Sequence, residues 1–185
     1  MLMRILQINS VCGILSTGRI TTDLHSILLA DGHESTVAFG RKSAKNCSNS
    51  IRIGNDFDNF LHILKTRIFD EHGFGSVAAT RKFIRQIIEL DPDVIHLHNL
   101  HGYFINVELL FDYLKSANKP VIWTMHDCWS FTGHCAYFDM VGCDRWKNHC
   151  HQCPQIGEYP KSLIDHSSFN SVSYTHLTLP TILRV

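Results

Sequence analysis

Histidine and asparagine crowd into two short stretches of this chain. "HLHNLHGYFIN" (96–106) sets His96, His98, Asn99 and His101 behind an apolar run, and "WTMHDCWSFTGHC" (123–135) sets His126 and Asp127 behind another. Imidazole and carboxamide groups both donate and accept hydrogen bonds, which suits them to sugar hydroxyls that do the same. Burying so many polar groups without partners would cost roughly 1–3 kcal/mol each, so a ligand explains them better than an inert core. Asp127 has the alternative of capping a following helix. A Cys128 nucleophile activated by His126 is a rival reading that no oxyanion-stabilising pattern supports.

A third stretch, "NSVCGILSTGRI" (9–20), has Gly13 and Gly18 for close backbone approach and Ser16 or Thr17 to cap a helix. Open amides at a helix start favour a phosphate. Arg19 adds a cation where the helix dipole disfavours one, and a bound anion is one reason for it. The stretch is neither GxGxxG nor a Walker loop, and an ordinary strand-to-helix turn accounts for it equally well.

Of seven cysteines, Cys12 and Cys47 stand alone while five fall within 128–153. Cys135, Cys143, Cys150 and Cys153 are spaced C-x7-C-x6-C-x2-C, with His134, His149 and His151 interleaved. Four thiolates suffice for a closed, structural zinc site that would order a long loop, with Cys128 or a histidine able to replace one of them. The alternatives are reduced cysteines packed under Trp129 and Trp146, or disulfides in an oxidising space. Catalytic zinc is disfavoured, because four sulfur ligands leave no open position.

The elements that must position these groups alternate between strand and helix. "MRILQIN" (3–9) reads as a buried strand and "STVAFG" (35–40) as a second, with a helix between them whose apolar stripe is Ile20, Leu24, Ile27 and Leu28. A short third strand is expected at 51–53, helices at 58–73 and 76–90 separated by Gly73–Gly75, and a helix stop followed by a strand within 91–99. A helix at 105–117 with Val107, Leu110, Phe111 and Leu114 inward and a strand at 119–127 complete the series. Such alternation implies an α/β, doubly wound, Rossmann-like parallel sheet, with ligands beyond the carboxyl ends of its strands. Alternation along the fourth strand sends His96 and His98 to one face and Ile95 and Leu97 to the other.

The chain has 185 residues, enough for one domain or a fragment of a larger protein, with Lys+Arg and Asp+Glu equal at 17 each. That balance excludes a nucleic-acid-coating surface. No apolar run approaches the roughly 18 residues of a membrane span, and the amino terminus lacks signal-peptide features, so a cytoplasmic location is expected. The last fifteen residues, "SVSYTHLTLPTILRV" (171–185), break from the preceding composition and resemble translated adapter DNA, with a natural apolar strand as the alternative. The domain is therefore expected to span 1–170, with 128–160 as its Cys/His-rich loop.

Together, "NSVCGILSTGRI", "DVIHLHNLHGYFIN", "KPVIWTMHDCWSFTGHCAYF" and "GCDRWKNHCHQCPQ" resemble, over roughly residues 3–170, the amino-terminal half of family 4 glycosyltransferases of bacterial exopolysaccharide or colanic-acid type. The resemblance implies half of a GT-B fold and retaining transfer of a hexose from a nucleotide sugar to a saccharide or lipid-linked acceptor, without a catalytic metal. It implies a catalytic position for His126 beside the transferred sugar, and a loop from Gly13 through Ser16, Thr17 and Gly18 to Arg19 facing the donor diphosphate. His98, Asn99 and His101 would line the acceptor side, with Asp127 a further substrate-binding residue. The nucleotide sugar would be held mainly by a carboxy-terminal Rossmann-like domain absent from this chain, which alone should be inactive and marginally stable, with exposed apolar surface. Peripheral attachment to the inner membrane face is a further family expectation. A zinc-stabilised glycan- or protein-binding module without catalysis is the competing class, and a nucleotide-binding α/β protein of another kind is a third.

Overall fold

The computed structural model describes residues 2–176. Five strands, β1 (Arg4–Asn9), β2 (Glu34–Phe39), β3 (Ser50–Arg52), β4 (Val94–Leu97) and β5 (Val121–Trp123), form one sheet in the order β3-β2-β1-β4-β5, every neighbouring pair parallel. The helices are α1 (Leu15–Ala30), α2 (Asp56–Phe69), α3 (Val77–Leu90), α4 (Val107–Ala117) and α5 (Ser167–His176). The chain winds outward from β1 to β3 and then returns to β4 and β5 on the other side. The order therefore reverses between β1 and β4, where an open α/β sheet offers a crevice. The doubly wound Rossmann-like reading holds.

Alternation along β1 divides the two faces. Leu6 and Ile8 join Ile95 and Leu97 in the main core, closed by Phe83 and Ile87 of α3 and by Leu110, Phe111 and Leu114 of α4. Val107, Leu110, Phe111 and Leu114 are all buried, as their spacing predicts. Gln7 points to the opposite face, where its Nε2 donates to Thr21 O of α1 at 3.2 Å and Ser35 Oγ at 3.4 Å.

That polar face corrects the reading of α1. Gly18, Thr21, Thr22 and His25 are the helix residues turned to the sheet, while Ile20 and Ile27 of the expected apolar stripe are 42% and 56% exposed. The strands decide this rotation, because Gln7 and Ser35 are buried and must be satisfied. His25 Nδ1 lies 2.9 Å from Ser35 Oγ, and Gly18 lets the helix close on Val11 to a distance at which a Cβ would already crowd it. Helix α2 is likewise exposed at Phe57, Phe60, Leu61 and Leu64.

Boundaries shift where caps are strong. α2 begins before its apolar periodicity, because Asn55 and Asp58 form a reciprocal capping box. β5 is only three residues long, and the chain leaves the sheet at Thr124. Beyond β5, two single 3-10 turns (Asp139–Val141 and Arg145–Asn148) are the regular structure before α5. The proposed foreign tail begins inside α5, and its residues 177–185 lie outside the described part. Ser171, its first residue, is buried and its hydroxyl accepts the Cys150 N–H at 3.1 Å.

Candidate functional site

Register brings the site together. Ile8 pairs with Leu97, and Leu97 with Trp123, so Asn9, His98 and Thr124 follow at one level across the three strands flanking the switch point. Asn9 Oδ1 accepts the Asn99 N–H at 3.1 Å, while its Nδ2 donates to Val11 O at 2.8 Å and Thr17 Oγ1 at 3.3 Å. This buried side chain ties the first loop to the fourth strand's end.

A directed chain of hydrogen bonds ends at His126. The Gln7 amide nitrogen must face the Thr21 carbonyl, which leaves Oε1 to accept from His98 Nε2 at 3.2 Å. Neutral His98 then presents a bare Nδ1, which accepts from His126 Nε2 at 3.1 Å. His126 is thereby fixed in the Nε2–H tautomer, with Nδ1 left as the ring nitrogen able to accept from a ligand. Burial, reinforced by His96 and His126, pulls the His98 pKa down to about 3. Burial also lowers that of His126, with Asp127 opposing. Both rings are therefore neutral near pH 7.

A second chain runs through His101. Its Nε2 lies 2.7 Å from Asp127 Oδ2 and its Nδ1 2.9 Å from Tyr159 Oη. Asp127 Oδ1 accepts the Trp129 N–H at 2.9 Å, so Asp127 shapes a turn and orients an imidazole rather than capping an α-helix. Burial pushes the Asp127 carboxyl up, but its bonds to His101 and Trp129 outweigh burial and hold it below the usual carboxylate range.

The two chains meet at a cavity of about 370 Å³, bordered by Ser16, Thr17, Arg41, Asn99, His101 and His126, with Tyr137 and Tyr159 from the Cys/His-rich loop. Five predicted residues thus share one wall. His98 reaches the same rim but is turned inward, only 2% exposed, because both of its nitrogens are used by Gln7 and His126. Gly13 and Gly18 shape the loop from behind. Gly13 has φ +68° and donates its N–H to Gly18 O at 2.9 Å, and a Cβ there would fall 1.8 Å from Lys45 O. Neither Ser16 nor Thr17 caps α1: the helix begins at Leu15, so both lie within its first turn, and Ile14 at the cap position offers no side-chain bond. Arg19 is exposed and does not border the cavity; Arg41, after β2, supplies the cation there instead.

Sequence reasoning missed Asn9, Arg41, Tyr137 and Tyr159. The rule that sites gather at strand ends could have found Asn9 and Arg41, whereas the tyrosines lie in a loop without periodicity. Cys128 does not suit a nucleophile, since burial pushes its thiol up.

All seven cysteines are free thiols. Cys135, Cys143, Cys150 and Cys153 border one small cavity of about 10 Å³, and the Cys135 and Cys153 side chains are hydrogen-bonded. Among the described residues, no three His, Cys, Asp or Glu side chains are gathered closely enough to hold a metal as they stand.

The model of Glycosyltransferase Family 4 matches residues 17–152, and the chain belongs to that family. It is 30% identical over 175 residues to a proposed colanic acid biosynthesis glycosyl transferase, WcaC of Escherichia coli (strain K12), covering 88% of this chain and 42% of that protein. The chain thus spans under half the length of this curated relative. A solved structure of glycosyltransferase VinC in complex with DTDP aligns at a TM-score of 0.40 and 14% identity, covering 66% of this chain and 34% of that one. No described helix is long and apolar enough to cross a membrane.

Proposed function

We propose that this chain forms the acceptor-side wall of a retaining GT-B glycosyltransferase that moves a hexose from a nucleotide sugar to a saccharide or lipid-linked acceptor in polysaccharide biosynthesis. The observation that carries the reading is His126, neutral and tautomerically fixed on the rim of the cavity, with Nδ1 free to accept from a hydroxyl. His126 takes the catalytic position beside the transferred sugar. Asn99, His101 and Tyr159 meet the acceptor, with Asp127 orienting His101. Arg41 and the uncapped start of α1 face the charge of the donor diphosphate. On this reading a second Rossmann-like domain holds most of the nucleotide sugar, and the pair works in the cytoplasm at the inner membrane face.

The test is sugar transfer by the chain joined to a donor domain, with His126→Ala and its folded state followed by circular dichroism. Lost transfer with the fold kept supports the assignment, and full transfer removes it. Glycan binding without any transfer by the joined protein would favour the non-catalytic binding module.

A further inference from the structure

Helix α2 ends on Asp70, whose side chain is fully buried and lies 2.5 Å, Oδ1 to Nδ1, from an equally buried His134. The far ring nitrogen of His134, Nε2, is buried with no partner. An orphaned imidazole nitrogen costs roughly 1–3 kcal/mol unless something in its surroundings binds it. His134 borders the small cavity that Cys135, Cys143, Cys150 and Cys153 also border. At about 10 Å³ that cavity has room for one water-sized occupant. Gly133 lets the walls close: a Cβ there would lie 2.0 Å from Ser167 O and 2.9 Å from Cys150 Cβ.

We propose that Cys135, Cys143, Cys150 and Cys153 bind one zinc ion as a closed tetrahedral site, with the buried Asp70–His134 pair packed against it as its outer shell. The four thiols release their protons to solvent on binding, and no oxidation is involved. Four thiolates leave no open position, so the ion is structural. Among the described residues no three ligands are gathered as the chain stands, so on this proposal the four thiols of the small cavity close up only when the metal binds. The site also bears on the cleft: Tyr137 and Tyr159 belong to the same loop, and Gln155 Nε2 ties its two arms by donating to Tyr137 O at 2.9 Å.

The whole chain, purified without chelator from zinc-supplemented cells and desalted, should carry one zinc per chain by elemental analysis. Cobalt exchanged for zinc should show the intense sulfur-to-metal charge-transfer bands and visible d–d bands of a tetrahedral tetrathiolate. Cys143→Ser or Cys150→Ser should lower the metal to below about a tenth of an equivalent. His134→Ala should keep the stoichiometry but weaken zinc about 10–100-fold in competition with a chromogenic chelator, as loss of an outer-shell residue does. Zinc below a tenth of an equivalent in the unsubstituted chain, retention of the metal by the cysteine variants, or a Cys135–Cys153 disulfide in freshly purified protein would each overturn the assignment. Metal content is read without catalysis, so failure here is distinct from failure of the transfer assay.

Discussion

His98 and His126 leave the ends of neighbouring strands and share one proton, Nδ1 to Nε2 at 3.1 Å, with their rings stacked at 15°. The contact tolerates a single hydrogen between the two nitrogens. A second proton would place two N–H groups against each other in a buried setting.

Acid should therefore destabilise the fold well before carboxylates titrate. Burial first, then neighbouring imidazoles, holds His98 at about 3; burial, then Lys65, holds His62 at about 3. Unfolded imidazoles protonate near pH 6.5, so below that value the unfolded chain binds more protons than the folded one. Stability is full above about pH 6.5 and falls as pH drops toward 3, each such histidine contributing up to ~1.4 kcal/mol per pH unit. Urea midpoints at pH 7.5 and pH 5 measure this, and equal midpoints would contradict it.

Gln7→Leu removes the amide that sets the direction of the chain to His126 and strands His98 Nε2 in the interior. A loss of about 1–3 kcal/mol is expected. For a domain of this size that lowers Tm by roughly 2–4 °C per kcal/mol. Nitrogen-15 shifts of His126 should move with it, reporting a mixed tautomer, whereas unchanged shifts would mean that Gln7 does not choose it.

Tyr159→Phe deletes one hydrogen bond to His101 and leaves Asp127 in place. On the proposed acceptor role, KM for the acceptor in the joined enzyme should rise ~2–10-fold, the worth of one such bond, with kcat little changed. An equal fall in kcat instead would place Tyr159 in the chemical step.

Arg41 and Arg19 make a matched pair of controls. Arg41 borders the cavity and Arg19 does not. Arg41→Ala should weaken binding of a nucleoside diphosphate by the joined protein ~10–100-fold, the range of a charge-assisted bond. Arg19→Ala should leave it within twofold. Isothermal titration distinguishes them, and equal effects would mean that the anion sits elsewhere.

The α/β alternation was legible because strands and helices carry different hydrophobic periods, and α4 shows it cleanly, with Val107, Leu110, Phe111 and Leu114 all inward. Helix α1 misled for a physical reason. Its rotation is set by Gln7 and Ser35 on the strands it covers, a pairing that no window along the helix contains. The histidines at strand ends were legible as a cluster, yet whether each faced the cleft depended on partners such as Gln7, 91 residues from His98. Tyr159 meets His101 across 58 residues of chain, and Asp70 meets His134 across 64. Only folding brings such pairs together, and neither tyrosine nor aspartate carries a local signal of it.

The last turn of α2 serves as a mooring for a far later part of the chain. Arg67 O accepts from Leu163 N, and Asp70 accepts from His166 N and from Asn170 Nδ2, across 96 and 100 residues in the last two cases. At ribosomal rates of about 5–20 residues per second, those acceptors emerge roughly 5–20 seconds before their donors. During that interval the end of α2 lacks these partners, so the segment that carries Tyr159 can be moored beside the cleft only after the five-stranded sheet has been synthesised.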